Sequence, residues 1–275
     1  MKSQFVTLPD GLRIHTLVAG AEENPPLILL HGYPSNSQLW RRCIPPLADH
    51  FRVYAPDLPG YGQSDKPLDV EYDLDYSVHF LLGFYDALGL EQAGLVVHDV
   101  GGMLGLGFAA RHPERVTRFV VMDTAPYVEW NFILRAALGL ARNSFSARFM
   151  LTRAGFKWIA RRLLVHNPAA ITDEVVDLYR DPWVENPDSR RAFSHVIGLP
   201  PVHLTEPRQN LRRITAPTLI LWAEKDVVFP TRIARQLQTD IAGSELITVP
   251  DCGHFLQEEQ PELVVEHLLR FLEGE

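Results

Sequence analysis

The chain has only two cysteines in 275 residues, Cys43 and Cys252. They are too few and too far apart for a disulfide framework, and neither sits in a metal-ligand spacing, so a reducing, cytoplasmic setting is expected. No phosphate loop, dinucleotide fingerprint or His/Cys cluster occurs, and neither a cofactor nor a metal is expected. No apolar run reaches the roughly 18 residues of a membrane span, and residues 1–20 alternate polar and apolar where an export signal would be continuously apolar. Basic charge is also short: 26 Lys and Arg face 34 Asp and Glu, a formal net charge of −8. That balance opposes nucleic acid and anionic membrane, both of which reward a basic face. The expected partners are a small apolar molecule and water, with monomer and homodimer both open.

What the chain does have is a 46% hydrophobic content arranged in short blocks. Two alternating segments, 4–8 and 13–18, precede continuous apolar runs at 26–30, 52–55, 94–97, 119–122, 218–222 and 245–249, the pattern of buried strands. Helical periodicity fills the intervals at 39–47, 76–88, 102–111, 231–241 and 261–272. This alternation predicts an α/β fold with a mostly parallel eight-stranded sheet, helices on both faces, and ligands at the carboxyl ends of the strands. From 126 to 212 the pattern is helical throughout. An insertion of that length reads as a helical cap, leaving 1–125 and 213–275 as the core.

One strand end carries unusual chemistry. In Leu95-Val96-Val97-His98-Asp99-Val100-Gly101-Gly102, an apolar strand meets a reactive side chain and then small residues that open a helix. These are the mechanics of a nucleophile elbow, with aspartate where serine is usual. The blander alternative is an aspartate that merely caps the helix. Two partners follow in the order acid then histidine: Asp226 beyond the strand 218–222, and His254 in Asp251-Cys252-Gly253-His254. Asp123, which also follows a strand, is the competing acid, and chain order favours Asp226. Metal ligands are not among the expected site residues.

These segments, with His31-Gly32-Tyr33-Pro34, Asp57-Leu58-Pro59-Gly60-Tyr61-Gly62-Gln63-Ser64-Asp65-Lys66-Pro67 and Arg111-His112-Pro113-Glu114-Arg115-Val116, resemble the α/β-hydrolase superfamily. The resemblance is to its branch of haloalkane dehalogenases and epoxide hydrolases. It implies that the backbone N–H groups of Tyr33 and Val100 form an oxyanion hole. It also implies that His31, Pro34, Trp130, Tyr179 and Trp183 contact substrate or leaving group.

A carboxylate nucleophile narrows the reaction. Ionised aspartate attacks carbon without a base, and the resulting ester is then hydrolysed by water that His254 deprotonates while Asp226 orients the ring. Attack on an ordinary ester would give an anhydride, so esterase and peptidase readings rank low. The first expectation is a dehalogenase, because Tyr179-Arg180-Asp181-Pro182-Trp183 and the residues after it resemble a dehalogenase cap. The alternative is an epoxide hydrolase with Tyr179 or Tyr127 as proton donor. A cofactor-free oxygenase and a non-catalytic ligand binder are further alternatives. The sequence departs from both leading patterns: Val100 and Tyr33 replace the tryptophan and asparagine usual in haloalkane dehalogenases, and residues 189–213 lack the late-cap tyrosine of epoxide hydrolases.

Overall fold

Continuous apolar strands must be covered on both faces, and the sheet meets that requirement with two separate cores. The computed structural model describes residues 1–127 and 132–274. Its strands are β1 (Lys2–Thr7), β2 (Arg13–Ala19), β3 (Pro26–Leu30), β4 (Arg52–Pro56), β5 (Ala93–His98), β6 (Val116–Met122), β7 (Thr218–Ala223) and β8 (Glu245–Val249). They form one sheet in the order β1-β2-β4-β3-β5-β6-β7-β8. β2 pairs antiparallel with β1 and β4, and the other pairs are parallel. The period of two divides β3 cleanly: Ile28 and Leu30 enter one core, Leu27 and Leu29 the other.

The helices are α1 (Ile44–Leu47), α2 (Leu74–Ala87), α3 (Val100–Arg111), α4 (Phe132–Arg142), α5 (Ser144–Met150), α6 (Arg153–Ile159), α7 (Asp173–Val184), α8 (Pro187–His195), α9 (Arg232–Asp240), α10 (Leu256–Glu259) and α11 (Pro261–Glu273). Residues of α2 and α3 pack in the first core, and residues of α1 and α11 in the second. The helix expected over 39–47 is instead a 3-10 turn, Ser37–Trp40, followed by the single turn α1. Pro45 and Pro46 explain the break, since proline has no N–H to continue a helix and is tolerated only in its first turn. The helix after β5 begins at Val100, two residues earlier than the periodicity suggests.

Between β6 and β7 the described residues contain helices and no strand. Long-range bonds tie this insertion to the core. Asn36 Nδ2 donates to the Leu178 carbonyl at 2.8 Å, Phe255 N to the Leu164 carbonyl at 2.7 Å, and Trp183 Nε1 to the Pro34 carbonyl at 3.0 Å. A further tie is polar and centred on a buried carboxylate. Glu258 on α10 accepts from Arg41 Nη2 at 2.9 Å and from the Tyr179 hydroxyl on α7.

Removing the carboxylate should therefore loosen insertion and core together. Glu258→Ala leaves the Arg41 charge and the Tyr179 hydroxyl without their acceptor, a loss of about 3 kcal/mol for one partner of a buried pair. In a chain of this size that corresponds to a Tm drop of roughly 6–12 °C. A thermal melt within 2 °C of wild type would refute the role given to this cluster.

Candidate active site

Asp99 sits at the sharp turn between β5 and α3 with φ 54° and ψ −117°, a left-handed conformation unusual for a side chain with a Cβ. Such strain costs on the order of 1–3 kcal/mol and persists only where the surroundings enforce it. Here they do: Asp99 N donates to the Asp123 carbonyl at 3.1 Å, and Thr124 Oγ1 donates to the Asp99 carbonyl at 2.6 Å. Close approach also requires glycine. A Cβ on Gly32 would lie 2.2 Å from Asp99 Oδ1, and one on Gly101 would lie 2.4 Å from the His31 carbonyl. Asp99 occupies the N-cap position of α3, but its side chain makes no capping hydrogen bond to the first turn of that helix.

The two oxygens of Asp99 have different surroundings. Oδ1 accepts from Tyr33 N at 2.6 Å, and the nearby Val100 N–H also favours the ionised carboxylate. Oδ2 faces His254 Nε2 at 3.5 Å. The other imidazole nitrogen, Nδ1, is 2.9 Å from Asp226 Oδ2, while Asp226 Oδ1 accepts from Val228 N at 2.6 Å and Phe229 N at 2.9 Å. Asp99, His254 and Asp226 are all buried.

Asp123 lies behind this group, accepting from Ala223 N at 3.1 Å, with its carboxyl close enough to Asp226 to feel its charge. Of the two candidate acids, Asp226 is the one placed against His254 Nδ1. Burial first, then the Asp226 charge, push the Asp123 carboxyl well above the carboxylate range, so it stays protonated.

Electrostatics divide the histidines. Burial pulls the His254 pKa down, but Asp226 and then Asp99 outweigh it and push it up to about 10. The Asp99 carboxyl is raised by burial, yet the His254 hydrogen bond and charge bring it below the usual range. His98 is the opposite case: burial and the nearby His254 charge push it down to about 3. A neutral His98 stacks 4.6 Å from the His254 ring, and its Nε2 is 2.9 Å from the His254 carbonyl. His98 is not among the site residues expected from the sequence. Its position directly before Asp99 was the available signal that it borders the site.

Asp99 and His254 open into one deep, apolar cavity. Leu58, Phe80, Met103 and Leu104 line it from the core, and Leu138, Met150, Ile159, Leu163 and Val196 from the insertion. Tyr33, Pro34 and Val100 also line it. The other expected substrate contacts need correction. The Tyr179 hydroxyl is spent on Glu258, and the Trp183 indole N–H on the Pro34 carbonyl; neither residue lines the cavity. His31 is turned into its own loop, with Nδ1 3.0 Å from the Gly32 carbonyl and Nε2 accepting from Leu58 N at 3.0 Å. The Tyr127 hydroxyl donates to Asp240 at 2.6 Å, away from the cavity. Trp130 lies outside the described residues.

Sequence reasoning missed the Tyr33 side chain. Its backbone was expected in the site, but its hydroxyl is also buried and has no partner among the described residues. Burial, the neighbouring Tyr61 and then Asp99 all raise its pKa well above that of a free phenol, so it remains protonated.

Comparison with known proteins agrees with this architecture. The chain is 30% identical to epoxide hydrolase 4 of Mus musculus, over 98% of this chain and 79% of that protein. It is 30% identical to cis-3-alkyl-4-alkyloxetan-2-one decarboxylase of Shewanella oneidensis, over 96% of this chain and 86% of that one. A solved serine hydrolase involved in carbazole degradation superposes with a TM-score of 0.85 at 27% identity, covering 100% of this chain and 99% of the other. Residues 25–261 match the sequence profile described as the alpha/beta hydrolase fold, and the chain belongs to that family of hydrolases.

Proposed function

We propose that this hydrolase works through a covalent ester of Asp99 and opens a strained cyclic ether, an epoxide, with Tyr33 as proton donor. The observation that carries the reading is the asymmetry of the Asp99 carboxylate. One oxygen is held by the Tyr33 N–H and the other is turned toward His254. In this reading Oδ2 attacks a ring carbon, the C–O bond breaks, and the departing alkoxide takes the Tyr33 hydroxyl proton. Alkylation consumes the Asp99 charge, so one of the two carboxylates that hold the proton on His254 is gone. His254 releases that proton to solvent, and the Tyr33 phenolate regains one from solvent.

Neutral His254 then deprotonates a water that attacks Cγ of the ester. The oxyanion develops on Oδ1, where the Tyr33 N–H already points, with the Val100 N–H beside the carboxylate. Collapse releases the diol and restores the Asp99 carboxylate and the protonated His254. Residues 126–212 act as the cap that keeps this chemistry away from bulk water.

Halide displacement, the first expectation from sequence, has less support. Val100 offers no side-chain donor beside Asp99, and the Trp183 N–H is occupied. The Tyr33 phenol supplies the proton that an oxygen leaving group needs and a halide does not. The relationship to epoxide hydrolase 4 points the same way.

Three measurements test the reading. With a mixed panel of alkyl epoxides, oxetanones and haloalkanes, His254→Ala should accumulate an adduct on the peptide containing Asp99, with the mass of the whole ring compound for an epoxide. Loss of halide before capture would reinstate the dehalogenase reading, and absence of any adduct would remove the carboxylate nucleophile.

Tyr33→Phe keeps the backbone N–H that holds Oδ1, so adduct hydrolysis should persist while epoxide opening slows by about 100-fold or more. Undiminished opening would remove the phenol from the mechanism. Finally, Asp99→Asn should lower the His254 pKa from about 10, as read by NMR titration of the imidazole. The sign follows from losing an anion that favours the protonated ring. The raised His254 pKa stabilises the fold fully below its unfolded value, about 6.5, and that stability is lost as pH rises toward 10. An unchanged titration in Asp99→Asn would contradict the coupling.

A further inference from the structure

Charge is distributed unevenly along the chain. Residues 132–172 contain seven of the 26 basic residues and none of the 34 acidic ones. This segment forms α4, α5 and α6, whose inner faces contribute Leu138, Met150 and Ile159 to the cavity. Their outer faces are not polar in the ordinary way. On α4, Phe132 is 84% exposed and Leu140, two turns on, 56%. On α5, Phe145 is 85% exposed, with Phe149 on the same face and exposed Arg148 between them. On α6, Trp158 is 60% exposed. It shares a surface cleft with Arg161, Arg162 and Lys225.

From this arrangement we infer that the outer face of α4–α6 docks onto an anionic lipid bilayer. Helices with aromatic side chains turned to solvent and arginines beside them match the chemistry of the interface, where rings enter the acyl boundary and cations meet headgroups. Exposed aromatics on three successive helices are also costly to leave in water. Part of the charge is used internally: Arg153 pairs with Asp177 and Lys157 with Asp173. Arg148 and Arg162 are exposed and have no carboxylate partner among the described residues. A second copy fits less well, because two-fold self-association through this face would set like charges against each other. The net charge of −8 made a membrane partner unexpected, but the segment opposes the chain average. Screening confines each charge's influence to about 10 Å, so the local sign governs contact.

The test needs no substrate and is therefore independent of the proposed reaction. Purified protein is floated with vesicles of phosphatidylcholine alone or with 30 mol% phosphatidylglycerol, at about 0.1 M salt. Binding is expected to the anionic vesicles, with weaker binding in 0.5 M salt and little to the zwitterionic ones. Phe145→Ser/Phe149→Ser should weaken binding at least about tenfold. Arg148→Glu/Arg162→Glu should weaken it by roughly fivefold or more for each cation reversed. Both variants should keep the wild-type circular dichroism and Tm. No flotation with anionic vesicles, equal flotation with both compositions, or full binding by both variants would overturn the proposal. So would concentration-dependent dimers, or a complex with duplex DNA formed without vesicle binding, that the same substitutions abolish.

Discussion

Two buried carboxylates and one buried imidazole lie against one another, and much of the molecule is arranged to make that tolerable. Burial alone would neutralise each group. Together they hold a net negative charge spread over Asp99, His254 and Asp226, with backbone N–H groups on the free oxygens of both acids. Each member arrives on the loop after a different strand, β5, β7 or β8, so their meeting depends on the sheet order that places these strands at its centre and toward its edge. Asp123 adds a fourth titratable group, and protonation of its carboxyl avoids a third negative charge.

Under the proposed mechanism, the same arrangement would make the resting state and the ester state electrically different. Before reaction, His254 is poised to hold a proton. In the proposed reaction, forming the Asp99 ester would remove its charge and make the imidazole needed in the next step easier to deprotonate. The neutral His98 beneath it contributes shape and a contact to the His254 carbonyl without adding a competing positive charge. In this account the sequence of steps follows from charge bookkeeping around one ring, with no moving part required.

How much of this was legible in the chain differs residue by residue. Buried parallel strands are continuous apolar runs, so β3, β5 and β7 stood out, as did the half-buried edge strand β8, and Asp99, Asp226 and His254 were visible as polar residues just past such runs. What local pattern cannot show is a partner elsewhere in the chain. Tyr179 looked available until its bond to Glu258, 79 residues away, and Trp183 until its bond to the Pro34 carbonyl, 149 residues away. Tyr33 was read for its backbone because the motif specifies the loop; whether its hydroxyl finds a partner depends on Phe193, Trp183 and Tyr61 packed around the ring. The break at Pro45-Pro46 was misjudged for a simpler reason, since apolar periodicity carried more weight than the missing N–H groups.

The insertion poses a different physical problem. A helix lying on a core needs one apolar stripe and a polar outer face. α4 and α5 bury Leu138, Ala141, Ala147 and Met150, yet they also expose Phe132, Leu140, Phe145 and Phe149. Neither core packing nor the cavity accounts for the second set, because a side chain turned to solvent contributes nothing to either. Folding stability alone would favour polar replacements there. A two-sided cap is consistent with a protein whose substrate is apolar enough to dissolve in lipid: the inner face receives the molecule and the outer face rests where that molecule is concentrated. On this view the excess of acid over base in the chain keeps the remaining surface in water while the basic aromatic face alone meets the bilayer.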